Sequence, residues 1–331
     1  MNLHDVARKA GVSIATVSRV LNDQDVVKAP TRTRVLKALE ALNYHPNVNA
    51  RTLCARRNRT LAMVVSNLEN PYFADIYRLF EKLAHREGYE VLVADTNFSP
   101  ERLAASVRLM LGRRVAGLGA VVSEMDKRAI HDLSRSKIPV VVSGVDTRSP
   151  NITSIRINCE KGMHRLLDLL RSLQHRTLAF IECHSALQTI GERRKAFLDA
   201  VRPFEDARHR VFTGPDSPEG GRQAVRDMLA AEFIPTAVVC VNDHMAIGAL
   251  SELLGRGFRV PGDISITGFD NISYAEFVTP ALTTVHIDRE RIACLMFENL
   301  ARHDEPVPPR REIVLEPLLV VRESTGPASS R

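Results

Sequence analysis

The order of patterns along this chain predicts an α/β protein in three parts. These are a three-helix head containing a helix-turn-helix, a short basic connecting segment, and two doubly wound parallel-sheet subdomains. Three observations carry the prediction. Apolar residues at helical spacing occur twice within the first twenty-two positions, with a glycine between the two sets. From Leu61 onward, short apolar β-rich runs alternate with helical segments of roughly 10–15 residues, the pattern of buried parallel strands. The charge is also divided. Residues 1–60 hold eleven Lys and Arg against four Asp and Glu, a net of +7, which leaves −1 for the other 271 residues of a chain whose total is +6. A basic head on a near-neutral body suits a head that binds phosphates.

The first element is LHDVARKAGVSIATVSRVLN, Leu3 to Asn22. Leu3, Val6, Ala7 and Ala10 make one apolar face, and Val17, Val20 and Leu21 make the next. Gly11 supplies the turn and Ser13 a side chain able to cap the second helix. Two short helices joined in this way form a helix-turn-helix, whose second helix enters the DNA major groove. Its outward face carries Ser13, Ile14, Ala15, Thr16, Ser18 and Arg19, all but the arginine short enough for close approach to base edges. A small helical pair also serves in protein-interaction modules. After a polar connector, Thr31 reads as the N-cap of a third helix with Val35, Ala38, Leu39 and Leu42 as its stripe. Asn43-Tyr44-His45-Pro46 ends that helix, because a residue before proline is pushed out of the helical region. The predicted head, residues 1–46, has Val6, Ala7, Val17, Val20, Leu21, Val35, Leu39 and Leu42 as its core.

Residues 47–59, NVNARTLCARRNR, are basic and contain Leu53 in a segment too small for its own core. Two readings fit the residues equally: a solvated charged linker, or a hinge helix in the minor groove that wedges Leu53 between base pairs. The body then spans 60–324. Strands are expected at 61–66, 90–95, 117–122 and 139–143, separated by helices at 71–87, 101–113 and 126–136. A second series follows, with strands at 154–157, 177–181, 210–213, 237–241 and 264–268 and helices at 160–173, 191–201, 218–231 and 243–256. A helix at 288–301 and strands at 312–315 and 318–322 return the chain. The first subdomain would hold about 60–157 and 288–316, the second about 158–287 and 317–324, and residues 325–331 would be a disordered tail. A ligand is expected between the sheets, at the carboxyl ends of their strands.

Other classes are poorly supported. The five cysteines are scattered and form no C-x-x-C pair, so neither a disulfide framework nor a zinc site is indicated. No N-terminal apolar core of a signal peptide and no membrane-length apolar run occurs, so a cytoplasmic protein without a membrane partner is expected. A periplasmic transport receptor would need a signal peptide and no basic head. An enzyme on a dinucleotide fold would need a third glycine after Gly117 and Gly119, where Val122 stands. No phosphate-loop or nucleophile-elbow motif occurs, and the histidines lack metal-ligand spacing. No catalytic residue, cofactor or metal is expected.

Five stretches in order, DVARKAGVSIATVSRVLN, ALNYHPNVNARTL, ENPYFADI, VNDHMAIGAL and RVPGDISITGFDN followed by TPALTTV, resemble the lactose-repressor (LacI/GalR) family of bacterial transcription regulators. The resemblance runs from Leu3 to about Ser324. It implies a body of the periplasmic-binding-protein-like type I fold and a homodimer or tetramer that represses from a pseudo-palindromic double-stranded operator. Ile14 and Ala15 fall at the family's main base-reading positions, where two apolar residues suit a thymine methyl, leaving hydrogen-bonding readout to Thr16, Ser18 and Arg19. Asn22 falls at a phosphate-contacting helix end. Asn47, Ala50 and Leu53 match the hinge, with Leu53 at the intercalating position, which favours the wedge reading. Cys54 stands where a basic residue is common.

In the body the resemblance implies a small effector between the subdomains. Tyr72 and Phe73 would stack on it, Arg193 would donate a bidentate pair to hydroxyls or a carboxylate, Asn242 and Asp270 would hydrogen-bond polar groups, and Thr189 would assist. On residues alone, Tyr72 and Phe73 read equally as core, Arg193 as a surface charge and Asp270 as a turn cap. The implied effector is a carbohydrate or sugar acid, ahead of a nucleobase. Three departures bear on it: Asn158-Cys159 where Asp-Asn is common, Gln174-His175 in place of Gly-His, and no aromatic in the loop from Gly214 to Gly220.

Overall fold

The head begins on a reciprocal cap. In the computed structural model, which describes residues 2–21, 26–44, 58–145, 149, 152–183, 187–204, 206–301 and 311–329, the Asn2 side chain accepts from the Asp5 amide at 3.1 Å and the Asp5 carboxylate accepts from the Asn2 amide at 3.0 Å. This capping box starts α1 (Leu3–Ala10), and Gly11, at φ 63°, ends it in the left-handed region. Ser13 caps α2 (Ile14–Leu21), its hydroxyl accepting from the Thr16 amide at 3.2 Å. The third helix, α3 (Ala29–Ala41), starts ahead of the expected cap, with Lys28 at the N-cap and Thr31 already inside. Pro30 sits in its first turn, where a missing N–H leaves nothing unbonded. Val6, Val17 and Val35 are fully buried at the centre of the head, with Leu21, Leu39 and Leu42 half-buried around them.

The chain divides into two units, Met1–Asn58 and Arg59–Arg331. The second is built as strand and helix in alternation: β1 (Thr60–Val65), α4 (Pro71–Arg86), β2 (Glu90–Asp95), α5 (Pro100–Gly112), β3 (Gly117–Val121), α6 (Lys127–Ser134), β4 (Val140–Ser143) and β5 (Ile152–Ile157). It continues through α7 (Cys159–Ser172), β6 (Thr177–Cys183), α8 (Gln188–Val201), β7 (Arg208–Gly214), α9 (Pro218–Ala230), β8 (Ala237–Cys240), α10 (Asp243–Gly255) and β9 (Ser265–Asp270). The last elements are β10 (Thr283–His286), α11 (Arg289–Leu300), β11 (Glu312–Leu315) and β12 (Leu318–Val320).

Two six-stranded sheets result, in the orders β11-β5-β4-β3-β1-β2 and β12-β10-β9-β8-β6-β7. Every pairing is parallel except that of β10 with β12. Both sheets therefore run 2-1-3-4-5 from one edge, and each reverses direction beside its first strand, which opens a crevice at the carboxyl ends. The chain passes between the sheets three times, after β5, after β10 and after β11. Two of the passages are tied together. The Asn158 amide donates to the Leu315 carbonyl at 2.9 Å, its side-chain amide donates to Glu316 at 3.0 Å, and Lys161 pairs with Glu316 at 2.6 Å. Asn158 thus serves a crossover and an N-cap together.

Several expectations are corrected. Strand β10 has no counterpart among the expected strands, because TTVH is short and threonine-rich; Thr283 and Thr284 are nonetheless fully buried. β9 runs on to Asp270, and β12 stops at Val320. The tail expected to be disordered is docked where it is described. The Gly326 amide donates to the Ser265 hydroxyl at 3.1 Å, the Ala328 amide donates to the Leu173 carbonyl at 2.8 Å, and the His175 ring donates to the Gly326 carbonyl at 3.0 Å. Backbone groups beside a sheet edge gain partners there that water would otherwise supply. Burial holds the His175 ring below its ordinary pKa, which favours the neutral form used in that bond.

The second subdomain is tight where α9 meets α10. A Cβ on Gly248 would lie 1.7 Å from the Pro218 carbonyl oxygen, and one on Gly221 would lie 2.0 Å from that of Met245. Gly248→Ala is therefore expected to force the helices apart and lower stability by about 1–3 kcal/mol, read as an earlier urea midpoint at unchanged slope.

Candidate functional site

The crevice between the two sheets collects all six residues expected at a ligand site: Tyr72, Phe73, Thr189, Arg193, Asn242 and Asp270 line one cavity. They come from four places in the chain, and local structure explains each position. Asn70 caps α4 by accepting from the Tyr72 amide at 3.1 Å, and Pro71 fixes its first turn, so Tyr72 and Phe73 project from the helix start. Their rings meet edge to face at 5.2 Å, and Phe73 meets Phe98 at 6.0 Å. Both rings are buried and belong to the core, and both line the cavity. Burial first, and the Asp270 charge next, push the Tyr72 phenol well above its usual pKa and keep it protonated.

Arg193, on α8, is no surface charge. It is buried, one guanidinium nitrogen donates to the Val241 carbonyl at 2.7 Å, and another donates to Asp270 Oδ1 at 2.7 Å. Its guanidinium carbon lies 4.2 Å from the centre of the Phe269 ring. Burial pushes the Asp270 carboxyl up, whereas Asp270 raises Arg193 against burial. These directions pull apart, and the 2.7 Å contact decides for a charged pair. Two of the five N–H donors of Arg193 are engaged within the protein, and Nε has no partner there. Asp270 holds φ at 111°, a strained backbone for a residue with a side chain, and its carbonyl accepts from Arg289 at 2.6 Å. Arg289 in turn lies 3.4 Å from Asp75 on α4.

The other two expected polar residues act mainly on the protein. Asn242 caps α10 by accepting from the Met245 amide at 2.8 Å, and its amide donates to Asp216 at 2.8 Å. The Thr189 hydroxyl donates to the Ser123 hydroxyl at 2.9 Å, joining the start of α8 to the loop after β3. Asp216, Ser123 and Ser143 line the cavity too and were missed. Strand-end position was the signal for all three, but it marks many residues that face elsewhere. Asp216 occupies the loop after β7 from which an aromatic is missing. Cys159, one of the departures, faces the cavity as part of a largely apolar wall with Ile157, Leu187 and Ile190. Two arginines, Arg156 and Arg193, meet three carboxylates, Glu192, Asp216 and Asp270, around the space. Among the described residues no group of three His, Cys, Asp or Glu is placed to hold a metal, and no helix is long and apolar enough to cross a membrane.

On the head, Ser13, Ile14, Ala15 and Arg19 are exposed along the start and outer face of α2, while Thr16 and Ser18 are half-buried. The Thr16 hydroxyl is paired with that of Ser13 at 2.9 Å. The most exposed set is thus two apolar side chains flanked by a hydroxyl and a cation. Asn22, Asn47, Ala50, Leu53 and Cys54 lie outside the described residues.

The chain matches two family models: residues 2–47 match the bacterial regulatory proteins, lacI family, and residues 167–325 match the periplasmic binding protein-like domain. It is 34% identical over 330 residues to the HTH-type transcriptional repressor PurR of Mannheimia succiniciproducens, covering 97% of this chain and 98% of that one. Its fold matches the lac repressor dimer bound to operator and the anti-inducer ONPF with a TM-score of 0.85, at 28% identity over 98% of this chain and 99% of that one. It also matches the transcriptional regulator CelR–cellobiose complex, with a TM-score of 0.71 at 27% identity over 98% and 99% of the two chains.

The residue after Asn242 is a buried acid. Asp243, fully buried at the start of α10, accepts from the Thr284 hydroxyl at 2.5 Å and from the Ile272 amide at 2.8 Å. Burial, and next the neighbouring Asp270, push its carboxyl up to about 8. An acid raised in the folded state binds its proton more tightly there than in the unfolded chain, where the pKa is about 4. Its contribution is complete below about pH 4 and is lost as the pH rises through about 8. The urea midpoint is expected to fall between pH 5 and 9, and Asp243→Asn, which mimics the neutral acid, is expected to flatten that slope.

Proposed function

This chain belongs to the lacI family of bacterial regulatory proteins and is a DNA-binding transcription regulator rather than an enzyme, and from that premise we propose that it is a cytoplasmic homodimeric repressor switched by an uncharged small molecule in its body crevice. The observation that carries the proposal is the gathering of six residues from four segments around one cavity, with a preformed Arg193–Asp270 pair in its wall. A sugar acid fits less well than the residues alone suggested, since the cavity's carboxylates outnumber its arginines and Arg193 is already neutralised. Hydroxyl groups fit better: carboxylates accept from them, and Arg193 and Asn242 belong to the same wall. A carbohydrate is therefore the first reading, in keeping with the cellobiose of the CelR complex. A nucleobase is the second, because the relative with the higher identity over the whole chain is a PurR repressor.

The operator is read by two heads on a pseudo-palindrome, since one three-helix head makes too few contacts for specificity. Ile14 and Ala15 meet thymine methyl groups, Arg19, Ser13, Thr16 and Ser18 supply hydrogen bonds, and Asn22 contacts phosphate. The hinge carrying Asn47 and Ala50 lies in the minor groove with Leu53 as its wedge. A ligand changes operator affinity only to the extent that it binds one arrangement of the body more tightly than another.

On an operator selected from random duplex DNA, Arg19→Ala is expected to weaken binding by about 1–3 kcal/mol while leaving non-specific binding nearly unchanged, read by fluorescence anisotropy. In the same assay Leu53→Ala is expected to reduce affinity and, in circular-permutation gels, the bend; an unchanged bend removes the wedge role. Thermal unfolding against neutral sugars, sugar acids and nucleobases tests the effector, a ligand well above its Kd raising the Tm by mass action. No shift with any neutral compound counts against the switch.

A further inference from the structure

The first subdomain carries a second concavity, at the opposite end of its strands from the crevice. This groove has a volume of about 640 Å³ and lies where α5 and α6 end and the chain turns back into β3 and β4. Arg108, Arg114, Arg135 and Lys137 line it, all exposed, with His131 beside them and Asp132 as the only carboxylate of the lining. Asp132 lies 3.5 Å from Arg108 and 3.4 Å from His131. Leu111, Val115 and Ile138 contribute apolar surface. Cations after a helix are ordinarily explained by the partial negative charge of its last carbonyls. The second sheet, wound in the same order, puts that explanation to the test. There Glu232, two residues past α9 at φ 53°, takes the place that Arg114 holds two residues past α5 at φ 55°. On α9 and α10, Arg226 pairs with Glu219 at 3.0 Å and with Glu252 at 3.2 Å, and Arg256 pairs with Glu252 at 2.9 Å. Arg259, just beyond, pairs with Asp263 at 2.8 Å. Those three arginines have Glu219, Glu252 and Asp263 as partners, whereas the four cations of the groove share one lining carboxylate. Helix ends alone therefore do not call for the positive charge gathered there.

We propose that this groove is a second phosphate-binding surface, by which the body holds duplex DNA beside the operator. The inference rests on the chain being a DNA-binding regulator and is independent of any ligand in the crevice. Parallel pairing sets Leu61 beside Gly117 and Leu118 beside Val140, so β1, β3 and β4 all begin at one end of the sheet. The chain enters the body at that end, since β1 starts at Thr60, two residues after the head unit finishes at Asn58. The strand starts that carry acids, Glu90 of β2 and Glu312 of β11, stand at the two edges of the sheet, away from β3 and β4. A small anion calls for an enclosed pocket, but these side chains stand open to solvent, that of Arg108 at 61%. A polyanion covers such a surface from outside. Arg108, Arg114 and Arg135 present forked donors to phosphate oxygens, and Lys137 presents a point charge. No base edge is read, so the surface adds affinity without sequence preference, and each phosphate it meets releases counterions.

The test uses the full-length protein and the operator selected from random DNA, either trimmed to the selected sequence or extended by about 20 base pairs on each side. Binding is read by fluorescence anisotropy between about 50 and 200 mM salt. The extended duplex is expected to bind more tightly, with a steeper fall of log K against log salt. Arg108→Gln, Arg135→Gln and Lys137→Gln together are expected to lower that slope by about 1–3, at about 0.9 per phosphate lost, and the low-salt affinity by about tenfold. Binding to the trimmed duplex and the Tm are expected to stay as in the wild type. Arg171→Gln, Arg202→Gln and Arg208→Gln remove the same charge from the second subdomain and are expected to leave binding to both duplexes unchanged. Equal slopes on the two duplexes in the wild-type protein overturn the inference without any variant. So does an unchanged slope in the groove variant, or an equal loss in the second-subdomain variant, which assigns the effect to net charge. A Tm raised by inorganic phosphate or AMP in the wild type but not in the groove variant, with no dependence on the flanks, overturns it in favour of a small anion. Failure to bind the trimmed duplex defeats operator reading by the head, whereas absence of flank dependence defeats this inference alone.

Discussion

A guanidinium and a carboxylate taken out of water must find each other, and the Arg193–Asp270 pair is the point on which the crevice is built. Removing either partner would leave an uncompensated buried charge, so each fixes the other's position. Arg193 also reaches the Val241 carbonyl just past β8 and covers the Phe269 ring. The pair therefore brings together α8 and the ends of two neighbouring strands. Its influence extends across the crevice, because the Asp270 carbonyl accepts from Arg289, whose charge lies beside Asp75 on the helix that carries Tyr72 and Phe73. The strained φ of Asp270 belongs to the same arrangement: the backbone turns so that its side chain faces Arg193 while its carbonyl faces Arg289.

Around that pair, topology supplies the space. Each sheet reverses its winding beside its first strand, and loops diverging on either side leave room at the carboxyl ends. Three passages of the chain join the two halves, and the link between Asn158 and Glu316 ties two of them into one strap. The Thr189–Ser123 hydroxyl bond is a further contact across the crevice.

The head works on a different scale. Its three helices bury a handful of small aliphatic residues, and its order depends as much on caps as on core: Asn2 with Asp5 for the first helix, Ser13 for the second, Pro30 for the third. Small side chains at the start of α2 leave the helix end free to approach a base pair, and the basic excess concentrated in residues 1–60 draws it to phosphate.

Local rules decided what could be read from the residues in order. Spacing of 3.6 marked the head helices, and alternation of apolar runs with amphipathic segments marked two parallel sheets, because backbone hydrogen bonding and the burial of one face act within a few residues of chain. Resemblance to a known family then singled out the six crevice residues. Tertiary structure decided the rest. Thr283 and Thr284 form a strand because β9 lies beside them, and residues 325–329 dock because Leu173, His175 and Ser265 offer partners. Arg193 and Asp270 are 77 residues apart, so their pairing follows only from which strand ends the fold brings together. The same holds for Asp216, Asp243 and Ser143. Each is an ordinary polar residue at a strand or helix end, and its burial, its partners or its lack of one depend on a wall contributed by distant chain.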